Sequence, residues 1–138
     1  MTRSRTNVVT AFLLDARDRL LLLKRSENVR TYPGAWAAVS GYQETVDPLL
    51  QAERELRQET GLDTAEIELV RKGTPLAVDD PEKDNYWRVH PFRFRHPQPH
   101  PSVALNEEHV QYEWIDPERL AEYETVPELQ PAWESTSS

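Results

Sequence analysis

Residues 41–62 read GYQETVDPLLQAERELRQETGL, and this stretch carries the start, the faces and the end of one helix. Asp47 is a helix N-cap by type, and Pro48 fits the first helical position, where its missing N–H costs nothing. Gly61 accepts the left-handed conformation that closes a helix at its C-terminus. Between these signals Leu49, Ala52 and Leu56 fall on one face at about 100° per residue, the stripe that packs on a sheet. Glu55 and Glu59, four apart, take the neighbouring arc and project side by side, and Gln58 joins their rim. Two adjacent carboxylates repel unless a cation lies between them. A hard divalent ion such as Mg2+ takes a few carboxylates, keeps several waters and completes its shell with substrate phosphates. The pattern points to metal-assisted phosphate chemistry, against the plainer alternative of a solvated acidic flank.

Upstream, Asn7 to Leu14 and Arg19 to Lys24 read as strands joined by the polar turn Asp15-Ala-Arg-Asp18, an antiparallel opening. Thr31-Tyr-Pro-Gly34 is a turn, and Ala35 to Val39 a short buried strand leading into Gly41. Downstream, Glu66 to Val78 and Tyr86 to Arg95 read as the two long strands of a hairpin across a polar connection. A proline-rich loop then leads to a strand over Val110 to Ile115, a short helix over Pro117 to Tyr123 and another over Val126 to Trp133. Residues 135–138 are expected to fray. One mixed α/β domain over residues 1–138 accounts for these elements.

The chain has no cysteine, which excludes disulfides, thiolate-bound zinc and cysteine nucleophiles and suits a reducing cytosol. Its opening, MTRSRTNVVT, lacks a signal-type apolar region, and the run Leu20 to Leu23 cannot span a bilayer, so a cytoplasmic location without membrane contact is expected. A net charge of −8 repels nucleic acid polymers. A small phosphorylated ligand is repelled too, unless a bound cation neutralises the acidic site first. His90, His96, His100 and His109 show no helical ligand spacing, so zinc catalysis lacks support and these side chains are expected to be structural or solvated. Tyr32, Trp36, Trp87 and Phe94 are expected to pack rather than to sandwich a base. A homodimer is left open.

From Gly41 to Leu62 the chain resembles the signature of the Nudix hydrolase family, G-x(5)-E-x(7)-R-E-U-x-E-E-x-G-U with U aliphatic. Arg54, Glu55, Leu56, Glu59, Gly61 and Leu62 match signature positions, and Gly41 serves as the opening glycine. Two departures stand out. The interval from Gly41 to Arg54 is one residue short, so Glu44 and Asp47 both qualify as the early acid, and Gln58 replaces the penultimate one. Further on, NEEHVQYEWIDPERL is similar to the family's late glutamate segment and Trp strand, with Glu108 at the glutamate and Gln111 where another acid is frequent. More weakly, TYPGAWAAVSGY, RVHPFRF and ETVPEL resemble a subgroup fused to proteins similar to translation initiation factor 2B alpha.

The resemblance implies a Nudix-type α/β/α sandwich with a mixed central sheet. It implies hydrolysis of the pyrophosphate linkage in a nucleoside diphosphate derivative, by water attack on phosphorus, with Mg2+ or Mn2+ as cofactor and a small nucleotide-type molecule as partner. The metal ligands are then Glu55, Glu59, the amide oxygen of Gln58 and the backbone carbonyl of Ser40. Glu108 is the favoured general base with Glu55 as the alternative, and Arg54 orients the carboxylates. On the substrate side stand Gly41 and Arg25, the latter either a phosphate contact or an exposed strand-end charge. Gln58 and Gln111 motivate a second reading, a nucleotide-binding regulatory module with weak or no catalysis.

Overall fold

The computed structural model describes residues 6–81 and 85–137. Its strands are β1 (Thr6–Leu14), β2 (Leu20–Arg25), β3 (Trp36–Ala37), β4 (Val39–Tyr42), β5 (Glu68–Lys72), β6 (Leu76–Asp80), β7 (Asn85–Arg95) and β8 (His109–Ile115). Helix α1 (Pro48–Thr60) follows β4, and α2 (Leu129–Ser135) ends the chain's regular structure. From Ala11 to Leu14 β1 is apolar at every position because both of its sides are covered there. Val9, Ala11 and Leu13 join a core with Ala52 and Leu56 of α1, whereas Phe12 and Leu14 join a second core with Leu129 and Ala132 of α2. The alternating Leu20 and Leu22 against Leu21 and Leu23 of β2 divide in the same way. The result is an α/β/α sandwich on a mixed sheet, in which β1 runs parallel to β7 along its whole length.

The opening strands pair antiparallel across the Asp15–Asp18 turn as expected, but only at its base. β1 and β2 pair only at Leu14 and Leu20, next to a turn in which Asp15 Oδ1 accepts the N–H groups of Arg17 and Arg19. Beyond that point they splay, and the segment expected as one strand over Ala35 to Val39 fills the gap in two pieces. β3 pairs with β2, and β4 pairs with β1 from Val8–Tyr42 to Ala11–Val39, so Gly41 lies inside a strand instead of after one. The long strand expected over Glu66 to Val78 is likewise broken, at Gly73-Thr-Pro75. Its halves β5 and β6 line up antiparallel on successive parts of β7. Pro75 offers no N–H to a ladder, and a Cβ at Gly73 would meet Pro91 and the backbone of Ser135, so the chain breaks where it passes closest to its neighbours.

Three further boundaries shift. The short helix after β8 is a 3-10 helix over Pro117–Glu122, capped by Asp116. α2 begins at Leu129, three residues later than expected, because the Val126 N–H donates to the carbonyl of Trp36 at 3.0 Å and holds this residue to the sheet. The tail expected to fray is ordered through Ser137: Thr136 is buried, and Arg93 donates to Thr136 Oγ1 at 3.2 Å and Ser137 Oγ at 2.9 Å. Ser138 lies outside the described residues. No helix among the described residues is long and apolar enough to cross a membrane.

Candidate active site

α1 is positioned by the signals in its sequence. Asp47 Oδ1 accepts the Leu49 N–H at 3.0 Å, and Gly61, at φ 71°, donates its N–H to the carbonyl of Arg57 at 2.9 Å. Ala52 and Leu56 are fully buried against the sheet, and this fixes the rotation of the helix. That rotation carries Glu59 inward until only 3% of it is exposed, and its Oε2 accepts the Ser40 N–H from β4 at 3.1 Å. One turn earlier Glu55 lies half-buried against Gly41. A Cβ at Gly41 would come within 2.7 Å of Glu55 Oε2, so this strand position must stay bare for the carboxylate to occupy it.

Gln51 completes the arrangement, and sequence reading passed over it. It is fully buried; its Oε1 accepts the N–H groups of Glu44 at 3.0 Å and Thr45 at 3.2 Å, while its Nε2 donates to Glu55 Oε1 at 3.0 Å. One side chain thus ties the loop before α1 to the acid on it. The signal was present as the four-residue spacing between Gln51 and Glu55. Of the two acids that qualified as the Arg54 partner, Glu44 takes the role at 3.5 Å and Asp47 is the helix cap.

The opposite wall comes from the start of β8. The Ser26 N–H donates to the carbonyl of Glu108 at 2.8 Å, and the Glu108 N–H donates to Asn106 Oδ1 at 3.1 Å, which anchors the backbone beneath an exposed carboxylate. His109 is buried, with Nδ1 3.4 Å from Asn106 Oδ1 and Nε2 3.7 Å from Glu59 Oε1. Ligand atoms of Glu59, Glu108 and His109 all lie within 4.8 Å of one another. His109, expected to be structural or solvated, is buried beside these acids. A search for helical spacing misses it because it meets Glu59 of α1 from the start of β8.

Electrostatics here oppose the ionised acids. Burial raises the pKa of Glu55, and Glu44 and Glu108 push it the same way, although the Gln51 hydrogen bond pulls it down. Burial holds Glu59 well above the ordinary carboxylate range, with Glu55 and Glu108 adding repulsion that the Ser40 N–H and Arg25 offset in part. His109 is drawn from 6.5 down to about 4 by burial and by Arg25, and so is neutral at pH 7. Glu59 and Glu108, set close to a neutral His109, are donors that could hold a metal ion.

The other sequence candidates fall out as follows. Gln58 is exposed, on the solvent side of α1 next to buried Glu59. Ser40 meets the acids through its amide. Arg25 donates from Nε to the carbonyl of Thr31 at 2.9 Å and from NH2 to Thr31 Oγ1 at 3.2 Å, so the structure uses it to clamp the 26–35 loop. Phe94 is core, and Tyr32, Trp36 and Trp87 pack against the α2-side core.

The family model of the NUDIX domain matches residues 4–134. The chain belongs to the Nudix family. A curated relative, the m7GpppN-mRNA hydrolase NUDT17 of Danio rerio, is 37% identical over 62 residues, covering 44% of this chain and 21% of its own length. The chain thus matches only about a fifth of that Nudix relative. Among solved structures, the MutT protein of Methanosarcina mazei Go1 superposes with a TM-score of 0.74 at 25% identity, over 97% of this chain and 94% of that one. A C. elegans Ap4A hydrolase in a binary complex gives 0.76 at 17% identity, over 96% and 95%. The Nudix sandwich inferred from the cores is the fold of these proteins. The weaker likeness to the subgroup fused to initiation factor 2B alpha-like proteins gains no support from these matches.

Proposed function

We propose that this Nudix protein hydrolyses the pyrophosphate linkage of a small nucleoside diphosphate derivative, with Mg2+ or Mn2+ held by Glu59 and Glu108 and with Glu55 as the base. The observation that carries the reading is the pairing of Glu55 and Glu59 one turn apart, with Glu59 buried and bonded to Ser40 while Glu108 closes on it from β8. Without a cation this arrangement buries repelling charge; with one it becomes a phosphate-binding centre. The Ser40 carbonyl and the Gln58 amide are further oxygen donors, and exposed Gln58 contributes the less. When bound, the metal withdraws electron density from phosphorus and offsets the charge that develops on the phosphate oxygens.

The residues divide the remaining work. Gln51 holds Glu55 Oε1, which leaves Oε2 to accept the proton of the attacking water as its oxygen bonds to phosphorus and the bridging P–O bond breaks. This assigns the base to Glu55, the alternative in the sequence reading, because Glu108 groups with Glu59 and His109 as a ligand. Burial raises the pKa of Glu55 and so makes it a stronger proton acceptor than a free carboxylate. Arg54 acts through Glu44, keeping the loop before α1 closed on the helix. Names such as m7GpppN-mRNA hydrolase and Ap4A hydrolase among the relatives support the substrate class. The net charge of −8 and the absence of cysteine support a small substrate in a reducing cytoplasm.

The test is a panel of nucleoside diphosphate derivatives with Mg2+ or Mn2+, with products identified. Metal-dependent release of phosphate products that Glu55→Gln abolishes is the expected result. The Gln58 substitution favours a second reading, a binding module. Calorimetric binding of the same compounds without metal and without product would establish that reading and overturn the hydrolase.

A further inference from the structure

We infer that His109, through Nε2, is a nitrogen ligand beside Glu59 and Glu108, and that this mixed nitrogen and oxygen centre favours a first-row transition ion over Mg2+. The inference rests on the metal-binding reading above and adds to it a donor of different chemistry.

The tautomer follows from Asn106. Its Oδ1 accepts the Glu108 N–H at 3.1 Å and so presents oxygen to the imidazole, facing Nδ1 at 3.4 Å. A nitrogen turned to an acceptor carries the proton, which leaves the lone pair on Nε2. That lone pair faces Glu59 Oε1 at 3.7 Å, beyond hydrogen-bond reach. The side chains of His109 and Glu59 are only 1% and 4% exposed, so bulk water does not separate them. An orienting oxygen on one ring nitrogen with the other nitrogen aimed at carboxylates is how protein imidazoles are set for metal.

Distances agree with a shared ion. Bonds of about 2.0–2.2 Å let one cation join ligand atoms up to roughly 4.4 Å apart. The 3.7 Å gap fits within that span, and exposed Glu108 can rotate to bring the 4.8 Å cluster inside it. Mg2+ favours all-oxygen shells, whereas imidazole raises affinity for later first-row ions.

The experiment is a Mn2+ titration of the full chain with inorganic pyrophosphate, which carries no nitrogen, followed by electron paramagnetic resonance and its spin-echo modulation. Bound Mn2+ should show directly coordinated nitrogen, whose modulation changes when histidine is labelled with the heavier nitrogen isotope; this arm needs no variant to fold. His109→Gln should lower Mn2+ affinity on the order of 10- to 100-fold, the loss that removal of even an outer-shell partner produces. Mg2+ affinity, read by competition, should change much less. Tightly bound Mn2+ without nitrogen modulation would overturn the ligand role of His109 and leave the carboxylate site standing. Failure of Mn2+ to bind at all would overturn the metal-binding reading on which it rests.

Discussion

The two faces of the sheet solve different problems with the same strands. On the α2 side, Phe12 meets Trp133 edge-on at 5.2 Å, Trp36 meets Tyr123 at 5.4 Å, and Arg93 lies 3.6 Å over the Trp133 ring. Aromatic packing and a stacked cation there stabilise the fold. On the α1 side, Ala52 and Leu56 seal the helix to the sheet, but Gln51 and Glu59 are buried beside them and Glu55 half-buried. A face built only for stability would not bury mutually repelling carboxylates. The contrast marks the α1 side as the one that carries the proposed site.

Breaking the α1 face should affect chemistry most. Glu55→Gln is expected to lower metal-dependent turnover by about 100- to 10,000-fold, the range for loss of a positioned base, with the circular dichroism spectrum unchanged. Phe12→Ala breaks the other face. It should cost about 3–5 kcal/mol in denaturant unfolding, yet leave turnover per folded molecule intact. If Phe12→Ala removed activity without unfolding, the separation of the two faces would be wrong.

Gln51→Leu sharpens the comparison because Gln51 is polar, buried and structural on the active side. Leaving the Glu44 and Thr45 N–H groups unpaired should cost about 1–3 kcal/mol. Turnover should also fall, through a freed Glu55, with less change in substrate affinity. Equal stability of Gln51→Leu and wild type would remove this tie from the account.

A smaller effect follows from protonation. The folded-state pKa of Glu59 is raised, so its contribution to stability is fully present below the unfolded carboxylate pKa and is lost as pH rises through the folded value. His109, held down at about 4, acts oppositely, losing stability as pH falls below its unfolded value of 6.5. The difference between Glu59→Gln and wild type isolates the acid. In metal-free buffer the Tm advantage of Glu59→Gln should grow as pH rises above the ordinary carboxylate range, and saturating Mn2+ should reverse it. An advantage independent of pH would show that Glu59 does not titrate in the fold.

The fold was legible where one segment contains its own limits. Asp47, Pro48 and Gly61 marked α1 correctly because caps and left-handed glycine act locally. Strand partners were less legible. Nothing in Asn7 to Lys24 shows that β1 gives its edge to β4 and its flank to β7, since that choice is made by chain far away in sequence. In the site, Glu55 and Glu59 were readable from helical spacing, and Glu108 came through resemblance alone. His109 was not readable because it meets Glu59 across fifty residues of chain, and Gln51 because a glutamine on a helix reads as surface unless its burial is known.

The most direct test of the central claim is a calorimetric titration of Mg2+ and of Mn2+ into wild type and Glu59→Gln, each with pyrophosphate present. Saturable binding by wild type that is lost or greatly weakened in Glu59→Gln is the predicted result. Equal binding by the two proteins, or none by wild type, would contradict the assignment of Glu59 as the grip on a catalytic metal.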